Sequence, residues 1–139
     1  MQELKEYVPI SHSCPYWDFV GPFYEKECVG GYHIGVRIEG KHRNLQGVAQ
    51  GGLIATLADI ALGYNVAYAA GRTTPIATIN LTTDFAGTAQ VGDWLEARVD
   101  VQQVGNRVAF ANAYIHVGKK RIARASGVFS ISKLRSNED

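Results

Sequence analysis

From Val48 to Ala70 the chain carries no proline and a single charged residue, Asp59. Alanine and leucine dominate. The apolar residues Leu53, Ile54, Leu57, Ala58, Ile60, Ala61 and Leu62 cover nearly the whole circumference of a helix rather than one stripe, so the pattern predicts a buried helix from about Gly51 to Ala70. At about 1.5 Å per residue it is roughly 30 Å long, the span of a small domain or of a bilayer. A membrane span is the poorer fit, because Asp59 would sit near mid-bilayer and Tyr64, Asn65, Tyr68 and several glycines dilute the run. Asp59 is the anomaly. A carboxylate removed from water costs several kcal/mol unless paired, and no positive charge lies within one turn of it. An acid in such surroundings is a candidate for acid-base or nucleophilic chemistry; the alternative is a solvated acid at a subunit edge.

The rest of the composition narrows the context. At 139 residues the chain is one domain of ordinary size. A net charge of +1 with scattered lysines and arginines offers no basic stripe for nucleic acid, so a small molecule or a protein is the expected partner. The N-terminus has mixed charges and no apolar core of a signal peptide. Cys14 and Cys28 are too few for a disulfide framework and are not spaced for metal, which predicts reduced thiols and a cytoplasmic protein without a metal site.

Around the helix the pattern is one of strands. A short helix is expected over Gln2 to Tyr7, then an irregular lead-in at Ser13-Cys-Pro-Tyr-Trp17 and a strand from Phe23 to Cys28. Gly30-Gly31 marks a hairpin, after which Tyr32, Ile34, Val36 and Ile38 alternate with His33, Gly35, Arg37 and Glu39. Residues 41–48 form a polar loop. Gly71 and Pro75 stop the helix. In the strand Ile76–Phe85, strict alternation places Ala77, Ile79, Leu81, Thr83 and Phe85 on one face, with Thr78, Asn80, Thr82 and Asp84 on the other. Residues 95–102 alternate again, 104–107 is a hairpin turn, 108–117 a strand, 118–121 a turn and 122–132 the last strand, before a charged tail. Ala109, Ala111, Ala113, Ala123, Ala125 and Gly127 give the last two strands a small-residue face on which a helix can lie closely. The expected fold is α+β, a curved antiparallel sheet wrapped around one long central helix. One helix covers one face, and edge strands stay open, so self-association is also expected.

Asn44-Leu-Gln-Gly-Val-Ala-Gln-Gly-Gly52, followed by Ala55-Thr-Leu-Ala-Asp59, resembles the hotdog-fold acyl-CoA thioesterases of the phenylacetic-acid-degradation type. Gly92-Asp93, Gly105-Asn-Arg107 and Ile122-Ala-Arg-Ala-Ser-Gly-Val-Phe129 extend the likeness over roughly residues 30–132. It implies an N-terminal lead-in and first strand (1–29), a hotdog thioesterase domain (30–132) and a tail (133–139). It further implies an acyl-CoA substrate, no bound cofactor, and a homo-oligomer that is a dimer at least and, at its fullest, a tetramer of two dimers. Carried over residue by residue, Asp59 is the nucleophile or general base, and Gly51 the oxyanion donor through its backbone N–H. Asn44 orients substrate or water, and Thr78 positions water beside Asp59. Gln50 stands where that family usually has histidine; its amide can donate a hydrogen bond but cannot shuttle a proton.

Helix geometry adds a constraint. Free N–H groups at a helix start are ready donors to an oxyanion, and Gly51 and Gly52 let that backbone approach a ligand closely. Yet Asp59 lies eight residues further along, about 12 Å, too far to attack a carbonyl held at the same helix's start. The acid must therefore come from another subunit, and the resemblance implies a dimer in which two such helices run antiparallel, so that each Asp59 faces the partner's Gly51. Arg107, Lys120 and Arg124 are candidate contacts for the phosphates of coenzyme A. Each candidate also has a plainer role: Asn44 a turn residue, Thr78 a strand former, the glycines a helix-start turn, and the basic residues solvated surface. Two rival functions stand beside hydrolysis. One is a non-catalytic acyl-CoA or aromatic-ligand binding protein, favoured by Gln50. The other is a dehydratase, which needs a histidine beside the acid, with His42 a candidate. Tyr64, Tyr68 and Phe85 would suit an aromatic or medium-chain acyl group.

Overall fold

The computed structural model describes residues 6–71 and 75–132. The charged tail and most of the segment expected as an N-terminal helix lie outside them; Glu6 is in a turn and Tyr7 is irregular. The elements are β1 (Val8–Pro9), α1 (Pro15–Val20), β2 (Phe23–Cys28), β3 (Gly31–Arg37), α2 (Gly51–Ala69), β4 (Ile76–Phe85), β5 (Trp94–Val104), β6 (Val108–Val117) and β7 (Lys120–Ile131). The lead-in is thus partly helical where irregular chain was expected. Pro15 sits at the first position of α1, where its fixed φ suits a helix and its missing N–H costs nothing. The last hairpin turn is also tighter than expected, since β7 begins at Lys120 and Gly118 takes a positive φ.

One antiparallel sheet runs in the order β1-β2-β3-β5-β6-β7-β4, and α2 packs against five of its strands, β3 to β7. A sheet can touch one helix with so many strands only by curling around it. The small-residue face is what lets it do so: Ala109, Ala111, Ala113, Ala123, Ala125 and Gly127 are all buried. A β-carbon added to Gly127 would meet the Leu62 side chain at 3.0 Å and the Phe129 ring at 2.6 Å. The wrapping is incomplete. Leu53, Ile54, Leu57, Ala58, Ile60, Ala61, Leu62 and Val66 are buried, whereas Gly52 is exposed and Ala55, Thr56, Asp59, Gly63 and Ala67 are half-buried. A helix apolar all round is thus enclosed on one side by its own chain, and its other flank, with Asp59, is left for a ligand or a second copy.

The strict alternation expected for β4 fails at one residue. The pairing with β7 skips Ile79, which bulges out and is 58% exposed, so Thr78 pairs with Phe129 while Asn80 pairs with Val128. One inserted residue exchanges the faces on either side of it. Thr78 thereby joins Leu81, Thr83 and Phe85 on the helix side, where it reaches Asp59.

Asn65 looks misplaced in an apolar helix, and the β2–β3 hairpin explains it. Its Oδ1 accepts the Tyr32 N–H at 2.9 Å, and its Nδ2 donates to the carbonyls of Tyr32 at 2.9 Å and Ala61 at 2.8 Å. Gly31 is required beside it, since a β-carbon there would lie 2.0 Å from Asn65 Oδ1. Asn65→Ala should destabilise the fold by about 1–3 kcal/mol, the cost of stranding buried backbone groups, read as a fall in the denaturant midpoint. An unchanged midpoint would mean that water replaces the amide.

Candidate active site

Asp59 lies in the third turn of α2 and is half-buried. The hydroxyl of Thr78, brought round by the β4 bulge, donates to Asp59 Oδ1 at 2.8 Å. Among the described residues Asp59 makes no salt bridge, so its partners are this hydroxyl and whatever occupies the space in front of it. That space is a cavity of about 380 Å³ bounded by Ile60, Gly63, Tyr64, Ala67, Ile76, Ala77 and Phe129, with His12 and Trp17 closing it from the N-terminal segment. A mostly apolar pocket with one hydrogen-bonded carboxylate in its wall suits an apolar group joined to a reactive polar one.

The second half of the site forms at the helix start. The Asn44 side chain closes a turn, its Oδ1 accepting the N–H of Gln46 at 2.9 Å and of Val48 at 3.2 Å. Its Nδ2 is the part left to meet a ligand. Gln50 is held by its own N–H on the His42 carbonyl at 2.8 Å, and its carbonyl receives the first intrahelical bonds, from Leu53 and Ile54. The Gln50 side chain is exposed and caps nothing. Among the described residues the N–H groups of Gly51 and Gly52 have no acceptor, as expected of a helix's first turn. Neither glycine has a positive φ. A β-carbon on Gly51 would make ordinary contact with the Phe85 ring at 3.4 Å, and one on Gly52 would meet only Gln50 Cγ at 3.9 Å. The chain's own packing therefore does not demand glycine at either position.

The expected site residues thus fall into two groups. Asp59 and Thr78 share one cavity, whereas Asn44, Gln50, Gly51 and Gly52 lie at the helix start and do not line it. The basic candidates are not gathered. Lys120 opens β7 and Arg107 accepts the Ile131 N–H at the other end of the same strand, roughly 36 Å away at about 3.3 Å per residue. Arg124 lies on the outer face and donates to Asp84 at 3.0 Å. One chain cannot present all three to one coenzyme A. His42 is occupied by structure: its Nδ1 accepts the Glu39 N–H at 2.9 Å and its Nε2 donates to the Val20 carbonyl at 2.6 Å, which leaves no ring nitrogen for chemistry. Of the expected acyl-facing aromatics, Tyr64 lines the cavity, while Phe85 lies by Gly51 and Tyr68 packs edge-on against Tyr32. Among the described residues no cluster of three or more His, Cys, Asp or Glu is placed to hold a metal.

The thioesterase superfamily profile matches residues 46–123, from just before the paired glycines into the last strand. The chain belongs to the thioesterase superfamily. A Pseudomonas aeruginosa protein provisionally named an esterase is 43% identical over 124 residues, covering 88% of this chain and 92% of its own length. Among solved structures, a conserved Pseudomonas aeruginosa protein superposes with a TM-score of 0.81 at 21% identity, over 86% of this chain and 95% of that one. A mutant of a phenylacetic acid degradation protein from Thermus thermophilus superposes with a TM-score of 0.76 at 21% identity, over 84% and 98%. At such identities these two show the fold alone, and it is the hotdog fold.

For this thioesterase-superfamily chain the residues missed from sequence are His12 and Trp17. They precede the matched region and follow no period that would mark them. The Tyr64 hydroxyl donates to Glu25 Oε1 at 2.6 Å, which a sequence pattern could not reveal because the two are distant in the chain. Burial, and then this bond to Glu25, raise the Tyr64 hydroxyl above the ordinary tyrosine range. On the outer face of the sheet a second group, Tyr7, Lys26, His33 and Arg98, surrounds Glu96. Burial alone would raise the Glu96 carboxyl, yet His33, Tyr7 and Arg98 hold it well below the usual carboxylate range. That group ties Tyr7 to the sheet and lies away from the cavity.

Proposed function

We propose that the protein is a thioesterase of the phenylacetic-acid-degradation type that hydrolyses an acyl-CoA with an aromatic or medium-chain acyl group to the free acid and coenzyme A. The observation that carries this reading is the Asp59–Thr78 pair opening on an apolar cavity, on the same helix whose first N–H groups lack acceptors. The acyl group occupies the cavity, and its carbonyl oxygen meets the N–H of the partner's Gly51. Asp59 either attacks the carbonyl carbon, forming a mixed anhydride that water then hydrolyses to the free acid and the regenerated carboxylate, or takes a proton from a water held by Thr78 so that its oxygen attacks and the proton passes to the departing thiolate. The tetrahedral oxyanion is stabilised by the Gly51 N–H and collapses with loss of the coenzyme A thiolate. Asn44 and Gln50 flank the carbonyl from the helix start. No metal or cofactor takes part, and the working unit is a homodimer or a tetramer of two dimers in the cytoplasm. Lys120, Arg107 and Arg124 are separated in one chain, so phosphate contacts come from a subset of them or from both protomers.

A panel of acyl-CoAs assayed for steady-state thiol release tests the reading. Release from none of them, with tight binding of one, would instead establish the binding protein that the exposed Gln50 amide favours. Gln50→His should leave folding unchanged, because the side chain touches nothing that would be broken, and should hold or raise kcat/KM. A loss of tenfold or more would show that the amide itself is matched to the substrate.

A further inference from the structure

Resting on this reading of the cavity as the acyl pocket, we infer that the N-terminal segment carrying His12 and Trp17 is the pocket's end wall, so that it, together with its latch on Tyr64, sets the length of acyl chain accepted. The cavity residues Asp59, Ile60, Gly63, Tyr64 and Ala67 follow one face of α2, so the pocket runs about 12 Å from the carboxylate toward the helix's C-terminal end. Trp17 is half-buried and packs on the core from α1, which closes the pocket from outside the sheet and helix that make its other walls.

The Ser11–His12 end of this wall is fastened at Tyr64 and Glu25, while α1, which carries Trp17, is tied by the carbonyls of Val20 and Phe19, which accept from His42 Nε2 at 2.6 Å and Lys41 Nζ at 3.1 Å. Tyr64 Oη accepts the His12 N–H at 3.2 Å, shares a hydrogen bond with Ser11 Oγ at 3.0 Å and donates to Glu25 at 2.6 Å. Glu25 Oε1 also accepts the Ser11 N–H at 3.0 Å and its hydroxyl at 3.2 Å. Glu25 is only 8% exposed and lies on β2, so the segment is fastened to the sheet and to α2 through the same pair of side chains. The tyrosine that lines the pocket is therefore also the tyrosine that positions its cover.

The test compares kcat/KM for butanoyl-, octanoyl- and hexadecanoyl-CoA. Trp17→Ala should raise the hexadecanoyl to octanoyl ratio by tenfold or more, and Tyr64→Phe, which keeps the ring and removes only the latch, should raise it by a smaller factor. Gly63→Ala should lower the ratio, since its methyl would fit at 3.7 Å from Ile76 and Phe129 and narrow the pocket. Ratios unchanged in folded Trp17→Ala and Tyr64→Phe proteins would overturn the inference while leaving the hydrolase reading intact. If the unmodified protein releases thiol from none of the three, the hydrolase reading fails, and the wall is judged by calorimetry with butanoate, octanoate and hexadecanoate. Trp17→Ala must then favour the longest acid relative to octanoate by a similar factor, and an unchanged preference overturns it.

Discussion

Asp59→Asn should lower kcat by at least about a hundredfold, some 2.7 kcal/mol of transition-state stabilisation, while leaving the protein folded. The amide has the shape of the carboxylate and keeps an oxygen for the Thr78 hydroxyl, so the contact at 2.8 Å survives. What it loses is chemistry. An amide is neither a nucleophile toward a thioester nor a base for water, and among the described residues no other acid borders the cavity to replace it. Circular dichroism and a melting curve establish that the variant is folded, and thiol release measures the loss. A folded Asp59→Asn protein with full turnover would sink the proposed mechanism, because the carboxylate would then be only a solvated edge residue.

A mixture of two nearly inactive variants should recover roughly a quarter of the unmodified activity. The reason is the separation of about 12 Å between Gly51 and Asp59 on one helix, which prevents a single chain from both holding and attacking one carbonyl. The first variant is Asp59→Asn. The second is Gly51→Val, whose β-carbon makes only ordinary contact with Phe85 at 3.4 Å but whose branched methyls crowd the carbonyl's approach. Each homodimer should be nearly dead. After random exchange of equal amounts, about half the dimers are mixed, and each mixed dimer pairs one intact Asp59 with the partner's intact Gly51 at one of its two sites. Mass spectrometry of tagged chains shows whether exchange has occurred. No recovery despite exchange would place both groups in one chain's site and would require a helix geometry other than the one found.

What could be read from the residues alone was whatever depends on neighbours in the chain. The central helix ends where Gly71, at φ +100°, follows its last turn; β4 and β6 have the bounds their periodicity marked, because alternation and glycine turns are local signals. The misfit of Asp59 in an apolar helix, and its distance from Gly51, needed only the helix's rise per residue. The pattern could not show that Thr78 faces Asp59. Alternation counts residues along one strand, whereas the bulge at Ile79 is set by pairing with β7, so the face of every residue across it depends on a strand some fifty positions away.

The part of the cavity lined by the N-terminal segment was equally out of reach. His12 and Trp17 carry no period; the place of His12 is decided by the Tyr64 hydroxyl and, through it, Glu25, residues 39 apart in the chain, and that of α1 with Trp17 by Lys41 and His42. His42 shows the converse. Its sequence position beside the helix-start loop made it a catalytic candidate, and hydrogen bonds to Glu39 and Val20 turned it into a strut. The sequence by itself determined the helix, the strands and the chemical types available, since these follow from local propensity and polarity. Only the tertiary structure decided which of them meet, because hydrogen bonds and packing between distant segments are fixed by register and closure of the whole sheet.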